Sequence, residues 1–444
     1  MRTHGILQSV DGNVMNRQNL ISGLILSIAI IIFLFGCWPT DTVVIPTSTV
    51  HHTALPPTHT NTPLQTVTSQ PTDSGTDTHA PTTTVAPQDT PTLPTPISTP
   101  AEAISEDHIR RGPYIQSITT NSAVIVWETD QPTPSSVIYG ATPACSSRVD
   151  DPAQTTEHAI KITGLTPYTT YYYNVTGSCQ APDRSRTFKT AAGPDQTQFT
   201  FVVFGDTQSQ PDIHRTVVEQ INEMEPDFLI HTGDLVQAGN NTAQWETFFA
   251  IERDLLDHVP FFPTMGNHED GADIYPQRFI LPGNEQWYTF DYGNVRFVSL
   301  RVDGIAQFKP DTEQYAWIED TLAANTQPWL VVYFHIPPFS GTEIDYPSRK
   351  GQELLVPLFE KYGVDVVFNG HDHNYQRSMV HGITYIISGG GGGPLYDVVL
   401  FEDHLITYEV THNFIHGTVD GNTFSLVALA LDGREIDRVT LTNP

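Results

Sequence analysis

The stretch that decides the fold is residues 199–234, FTFVVFGDTQSQPDIHRTVVEQINEMEPDFLIHTGD. It begins with an apolar run at 199–204, which is typical of a buried strand, and a second short run follows at 228–230. Between these runs, apolar residues recur at helical spacing: Ile213, Val217, Val218, Ile221 and Met224. Strand, helix and strand in this order predict an α/β layer structure.

Each of these two strands is followed by a glycine and an aspartate, at Gly205-Asp206 and Gly233-Asp234. Three later apolar runs, 261–265, 330–334 and 364–368, are followed by Gly266-Asn267-His268, His335 and Gly370-His371-Asp372-His373. Ligand sites of open α/β sheets lie beyond the carboxyl ends of the strands. Carboxylate, amide and imidazole groups are suitable ligands for a pair of divalent or trivalent ions. The sequence therefore predicts a metal site built from Asp206, Asp234, Asn267, His335, His371 and His373.

The bulk composition limits the possible partners. A chain of 444 residues predicts two or more folded units. Its net charge of −29 disfavours nucleic acids and anionic membrane surfaces as electrostatically attracted partners, so we expect no nucleic acid partner. An anionic substrate is still compatible, because bound cations would dominate the local field.

Residues 1–37 predict an export or anchoring signal. Arg2 and Arg17 precede a nearly apolar run, 20–35, which leads into Gly36-Cys37. This order resembles a bacterial lipoprotein signal in which Cys37 carries the lipid. An uncleaved membrane anchor and ordinary secretion remain alternatives. All three predict an extracytoplasmic protein, either anchored to the cell surface through an N-terminal lipid or helix, or secreted.

Residues 38–108 form a Thr/Pro-rich segment that we expect to be a disordered stalk. Such a composition does not bury enough apolar surface to offset chain entropy. Outside the cytoplasm, the two remaining cysteines, Cys145 and Cys179, are expected to form a disulfide.

Residues 109–193 predict an all-β sandwich. The runs 122–127 and 171–175 are rich in β-branched and aromatic residues, and turn signals recur at 129–132, 140–143 and 164–167. The segment resembles the fibronectin-III-like domain at the N-terminus of purple acid phosphatases. The matching stretches are Pro113-Tyr114-Ile115-Gln116, Val126-Trp127-Glu128-Thr129, Val137-Ile138-Tyr139-Gly140 and 165–173.

The strand-end motifs, together with Glu269, resemble the signature of the calcineurin-like metallophosphoesterases. With the β domain in front, the chain is most similar to a bacterial purple-acid-phosphatase-like member, over residues 111–443. The resemblance implies a metallophosphoesterase domain at 197–444, with a mixed β-sandwich flanked by helices. The hairpin signal at 288–298 agrees with a mixed sheet.

The resemblance also implies a role for each residue. Asp206 and His373 would bind the first metal, Asp234 would bridge both metals, and His268 would be the proton donor. The second metal would be bound by Asn267, His335 and His371. Two ions, of Fe, Zn or Mn, would supply a metal-bound hydroxide that attacks a small phosphomonoester. A phosphodiesterase or nucleotide hydrolase, and a surface binding module with a weakened metal site, remain alternatives.

Two positions depart from the family pattern. Gln237 stands where purple acid phosphatases have a metal-binding tyrosine, and Gln208 stands where many other members have a histidine. The amide oxygen of Gln208 or Gln237, or a water molecule, would have to complete the coordination of the first metal. Without the tyrosine phenolate we expect a colourless protein, which a visible absorption spectrum would test.

Three further features lie after the last motif. The glycine run 389–393 predicts backbone that passes close to the metal site. Arg377 is expected either to contact phosphate or to form a structural ion pair. Pocket-lining roles are suggested for four residues: Tyr396, Asp397, His412 and His416.

Overall fold

The computed structural model describes residues 104–177, 179 and 186–443. The predicted N-terminal signal, and the predicted stalk up to residue 103, lie outside these residues. Within the described part, no helix is both long and apolar enough to cross a membrane.

The first folded region is an antiparallel sheet that runs in the spatial order β1-β2-β4-β5, with β3 also paired to β2. Its strands are β1 Ile109–Gln116, β2 Ser122–Gly140, β3 Ser147–Thr163, β4 Thr170–Asn174 and β5 Arg186–Lys189. Strand β2 pairs with β1 through its first half and with β4 through its last residues. The expected all-β character is therefore present, whereas the fibronectin-III-like assignment stays a prediction.

The turn predicted at 129–132 is wrong, because β2 continues through it. The pairing of β2 with β3 is irregular between Glu128 and Ser135, where the register shifts twice. Pro132 lies in this irregular stretch, which is where proline is tolerated within a sheet, since it donates no backbone hydrogen bond. The disulfide predicted between Cys145 and Cys179 is confirmed.

The second folded region alternates strands and helices before it ends in antiparallel strands. The strands are β6 Gln198–Phe204, β7 Phe228–His231, β8 Phe261–Pro263, β9 Tyr288–Tyr292, β10 Val295–Ser299, β11 Trp329–Tyr333, β12 Val366–Asn369, β13 Tyr375–Val380, β14 Ile383–Ser388, β15 Leu405–Glu409, β16 Asn413–Asp420, β17 Thr423–Ala430 and β18 Glu435–Thr442. The helices are α1 Pro211–Glu223, α2 Thr242–Leu256, α3 Tyr275–Arg278, α4 Glu313–Ala323, α5 Tyr346–Leu354 and α6 Val356–Tyr362.

These strands form two mixed sheets. One has the order β18-β17-β16-β6-β7-β8, and the other has the order β15-β13-β14-β12-β11-β10-β9. Strands β6, β7 and β8 are parallel to one another, as are β10, β11, β12 and β14. The predicted hairpin at 288–298 is confirmed as β9 and β10. Parallel central strands place the residues that follow them at a common edge.

The core lies between the two sheets and under the helices. Phe201 of β6 packs against Phe297 and Phe368 of the other sheet, with ring centroids 5.6 and 6.3 Å apart. A separate cluster on the far face of the seven-stranded sheet includes Val332 and Phe359.

Residues 346–362 form two helices, α5 and α6, that meet at Leu355. Pro357 explains this break. A proline lacks the N–H group needed inside a helix but is tolerated in its first turn.

Candidate metal centre

The predicted ligands lie in the loops that follow five strands. Asp206 follows β6, Asp234 follows β7, and Asn267 follows β8. In the other sheet, His335 follows β11, and His371 and His373 follow β12. Ligand atoms of Asp206, Asp234 and His335 all lie within 4.8 Å of one another. The two sheets thus bring residues separated by up to 167 positions in the sequence, from Asp206 to His373, into one cluster.

One half of the cluster gathers four potential ligand atoms. Asn267 Oδ1 lies 3.0 Å from His335 Nε2 and 3.0 Å from His371 Nδ1. Those two nitrogens are 3.3 Å apart, and Asp234 Oδ2 is 3.2 Å from His335 Nε2. Two ligands that are each about 2.1 Å from one ion lie about 3.0–3.4 Å apart at octahedral or tetrahedral angles. The spacing of these four atoms therefore fits a single ion.

The orientation of His335 also suits metal binding. Its Nδ1 lies 2.9 Å from the Thr232 carbonyl oxygen, to which it donates a hydrogen bond. A histidine ligand is commonly oriented by this kind of contact, which leaves the lone pair of the other nitrogen free for a cation.

The other half of the cluster is built around Asp206 and His373. Asp206 Oδ1 lies 3.5 Å from His373 Nε2, and His373 Nδ1 donates to the Pro394 carbonyl oxygen at 2.7 Å. The amide nitrogen of Gln208 lies 3.3 Å from Asp234 Oδ2 and 3.4 Å from His373 Nε2. Gln208 is buried, and its Oε1 has no hydrogen-bond partner in the described part of the chain. A polar NH₂ group thus faces two lone pairs at the place where a cation would fit.

The pKa shifts in the cluster also indicate that its buried carboxylates need a positive charge nearby. Burial raises the pKa of Asp206. Burial alone would also raise the pKa of Asp234, but the positive charge of His335 lowers it to about 2. Conversely, burial would lower the pKa of His335, and Asp234 raises it to about 10. Without a bound metal ion, a protonated His335 imidazole therefore supplies the positive charge that the buried Asp234 carboxylate requires, a role that a bound cation would take over.

The backbone at three ligands is in the left-handed region. Asp206, Asp234 and His371 have φ values of 58°, 56° and 72°. Such conformations are rare for residues with a side chain, and they concentrate at functional sites where surrounding contacts hold them. Asp206 contributes such a contact, because both of its oxygens accept from the His371 N–H at 3.0 and 3.1 Å.

Glu269 is a part of the site to which sequence reasoning gave no role. It is fully buried and accepts backbone N–H groups of Asp234 and Gly266 at 2.9 Å and of Val236 at 3.1 Å. Burial raises its pKa to about 8, and the charge of Asp234 acts in the same direction. Glu269 therefore ties together two ligand-bearing loops. The sequence signal is its position directly after Asn267-His268, but no spacing rule reveals what its carboxylate holds.

The glycine run passes close to the ligands, as predicted. A Cβ added at Gly389 would lie 2.8 Å from Asp206 Oδ2, and one at Gly393 would lie 2.5 Å from the His373 ring. Any side chain at these positions would displace a ligand.

His268 lies beside the cluster and is partly exposed. Its Nδ1 donates to the Gln237 carbonyl oxygen at 2.6 Å, and its Nε2 is 3.7 Å from Asp234 Oδ2. The Nε2 atom therefore faces the cluster. The amide nitrogen of Gln237 is 3.3 Å from His268 Nδ1, and its oxygen accepts from the Ser209 hydroxyl. Gln237 thus contacts the predicted proton donor, whereas Gln208 contacts the predicted ligands.

The remaining predicted neighbours differ in position. Tyr396 stacks on His373, with ring centroids 4.2 Å apart. Arg377 forms an ion pair with Asp437, which is the structural role that was one of its two predicted alternatives. His412 donates to the Gly390 carbonyl oxygen at 3.0 Å. Among the described contacts, none joins Asp397 or His416 to the cluster.

Comparison with known proteins agrees with this arrangement. The family model for calcineurin-like phosphoesterases matches residues 199–375. "Probable purple acid phosphatase 20" of Arabidopsis thaliana is 27% identical over 63% of this chain and 73% of its own length. "Purple acid phosphatase 22" of the same plant is 30% identical over 50% of this chain and 53% of its own length. The chain therefore spans only about half the length of some curated relatives.

A solved structure is also similar in fold. The purple acid phosphatase from yellow lupin (Lupinus luteus) seeds superimposes with a TM-score of 0.64 at 22% identity. The match covers 75% of this chain and 74% of that one. At this identity the likeness concerns the fold alone.

Proposed function

The chain contains a calcineurin-like phosphoesterase domain and is homologous to purple acid phosphatases, and from this premise we propose that it hydrolyses phosphomonoesters at a two-metal centre. The homology supports a metal-dependent phosphoric ester hydrolase. The observation that carries the finer proposal is the convergence of all six predicted ligands in two groups that share Asp234.

Each side chain has a role in this proposal. Asp206 and His373 would hold the first ion, whereas Asn267, His335 and His371 would hold the second. Asp234 would contribute to both positions, since its carboxylate has two oxygens and faces both halves of the cluster. Bound there, the ions would act as Lewis acids and lower the pKa of a bound water.

The protein's own proton chemistry centres on His268. Hydrogen bonding of its Nδ1 to the Gln237 carbonyl oxygen fixes the ring and directs Nε2 towards the cluster. From there, Nε2 would donate a proton to the departing alcohol oxygen.

We propose that Gln208, rather than Gln237, supplies the missing ligand of the first metal. Rotation of the Gln208 amide by 180° would direct Oε1, instead of the NH₂ group, towards the first metal position. Among the described residues Oε1 has no hydrogen-bond partner, so the rotation would break no hydrogen bond of this atom. The amide of Gln237 is engaged by Ser209 and His268 instead. This assignment also agrees with the absence of a tyrosine ligand, and hence with a colourless protein.

Gln208→Leu tests this assignment, because it keeps the size of the side chain and removes the amide. We expect the affinity for the more weakly held ion to fall about tenfold or more, as is typical when a metal site loses a supporting polar group. Metal titration followed by elemental analysis measures this. Gln208→Glu should keep both ions, and Gln237→Leu is the matched control for metal content. Equal metal affinity in Gln208→Leu and the parent would refute the assignment.

One assay tests the proposed activity. The metal-loaded protein is incubated with p-nitrophenyl phosphate and with bis(p-nitrophenyl) phosphate, and metal content is measured on the same sample. Faster release from the monoester is expected. Preference for the bis-ester would favour the phosphodiesterase alternative. No hydrolysis of either compound by metal-loaded protein would favour the binding module.

The proposed setting is extracytoplasmic. A signal or lipid anchor at 1–37 and a stalk at 38–108 would present the fibronectin-III-like domain, 109–193, and the phosphoesterase domain, 197–444. The Cys145–Cys179 disulfide supports an oxidising compartment.

A further inference from the structure

A cavity of about 420 Å³ lies beside the metal cluster, between helices α1 and α2 and the loops that follow β6 and β7. Its lining consists of Thr207, Gln208, Ser209, Pro211, His214, Leu235, Val236, Gln237, Gln244, Thr247, Phe248 and Ile251. Small-molecule sites usually enclose about 300–1,000 Å³, so this cavity suits a small organic group.

Two residues connect the cavity to the proposed catalytic groups. Gln208 lines the cavity and places its amide nitrogen 3.3 Å from Asp234 Oδ2. Gln237 also lines it, and its carbonyl oxygen accepts from His268. The cavity is thus separated from the cluster and from His268 by one layer of side chains, Gln208 and Gln237, which is thin enough for the organic group of a phosphate ester bound at the cluster to reach it.

The walls of the cavity are apolar or neutral. Leu235, Val236, Phe248 and Ile251 are buried and apolar, whereas the hydroxyl and amide groups are uncharged. Of the described residues that line the cavity, none is a lysine or arginine. His214 is the ionisable one, and its Nε2 lies 2.8 Å from Glu252 Oε1, with both side chains buried. The cavity therefore has no cation free to bind a second anionic group.

We infer that this cavity receives the organic group of the substrate, and that the substrate is a phosphomonoester of a small neutral alcohol or phenol. This inference rests on the proposed function. Polyphosphorylated compounds and nucleoside triphosphates should be poorer substrates, because the lining of the cavity offers their extra charges no lysine or arginine. A neutral group would gain apolar contact with Phe248 and the other apolar residues of the lining.

Thr247→Trp tests the inference. Thr247 is exposed on α2 and lines the cavity, so a tryptophan there would fill part of the volume. We expect kcat/KM for p-nitrophenyl phosphate to fall about tenfold or more, since loss of pocket contacts changes discrimination by this order. Metal content and inhibition by inorganic phosphate should not change, because free phosphate has no organic group. The matched control is Ala250→Trp, an exposed position on the same helix outside the cavity.

A comparison of substrates provides the second part of the test. In the parent protein, kcat/KM for p-nitrophenyl phosphate and glycerol 2-phosphate should exceed that for ATP and inositol hexakisphosphate. An unchanged kcat/KM in Thr247→Trp, or a preference for the polyanions, would overturn the cavity assignment while leaving the phosphatase activity in place. No hydrolysis of any ester by the metal-loaded parent would instead mean that the proposed function itself has failed.

Discussion

Asp234→Asn should abolish nearly all phosphatase activity and release at least one metal ion. Asp234 is buried and faces His335, Gln208 and His268, so its carboxylate is the proposed link between the two metal positions. An amide cannot bridge two cations as a carboxylate does. Metal ions lower the pKa of bound water from 15.7 to about 7, so a lost ion should reduce turnover about a thousandfold or more.

Elemental analysis and steady-state kinetics on the same preparation measure both effects. The substitution preserves shape, so thermal unfolding of the metal-free protein should show whether the fold persists. Asp311→Asn is a suitable control, because Asp311 is an exposed aspartate before α4. Full metal content together with full activity in Asp234→Asn would contradict the bridging role.

His268→Ala should have the opposite pattern, with both metals retained and turnover largely lost. The side chain lies outside the group of proposed ligands, and its Nε2 is 3.7 Å from Asp234 Oδ2. A general acid typically contributes about 10²- to 10⁴-fold to the rate, so we expect a loss of that size in kcat. The loss should be larger for glycerol 2-phosphate than for p-nitrophenyl phosphate, because the nitrophenolate leaves without needing a proton.

The dependence on the leaving group separates proton donation from a merely structural effect. A structural defect would slow both substrates equally, whereas a missing proton donor slows chiefly the poorer leaving group. His381→Ala provides the control, since His381 is an exposed histidine that follows β13 and pairs with Glu360 rather than with the cluster. Undiminished hydrolysis of glycerol 2-phosphate by His268→Ala would rule out the proton-donor role.

Much of the site could be predicted from the sequence, because strand ends are local features. The runs before Asp206, Asp234 and His335 are continuous and apolar, and each matches a buried strand. Errors arose where local signals compete with pairing across a sheet. The turn signal at 129–132 gave way to the long strand β2, because its hydrogen-bond partner β3 runs alongside it.

The sequence by itself determined the α/β alternation, the two Gly-Asp strand ends and the set of six candidate ligands. These features follow from residue types and from the spacing of apolar residues, and both can be read within a single segment of the chain. Only the tertiary structure placed Gln208 and Gln237 against different neighbours, revealed the contacts of Glu269, and formed the cavity between α1 and α2. The physical reason is that these features are distances between loops from different strands, and such distances are set by how the sheets and helices pack.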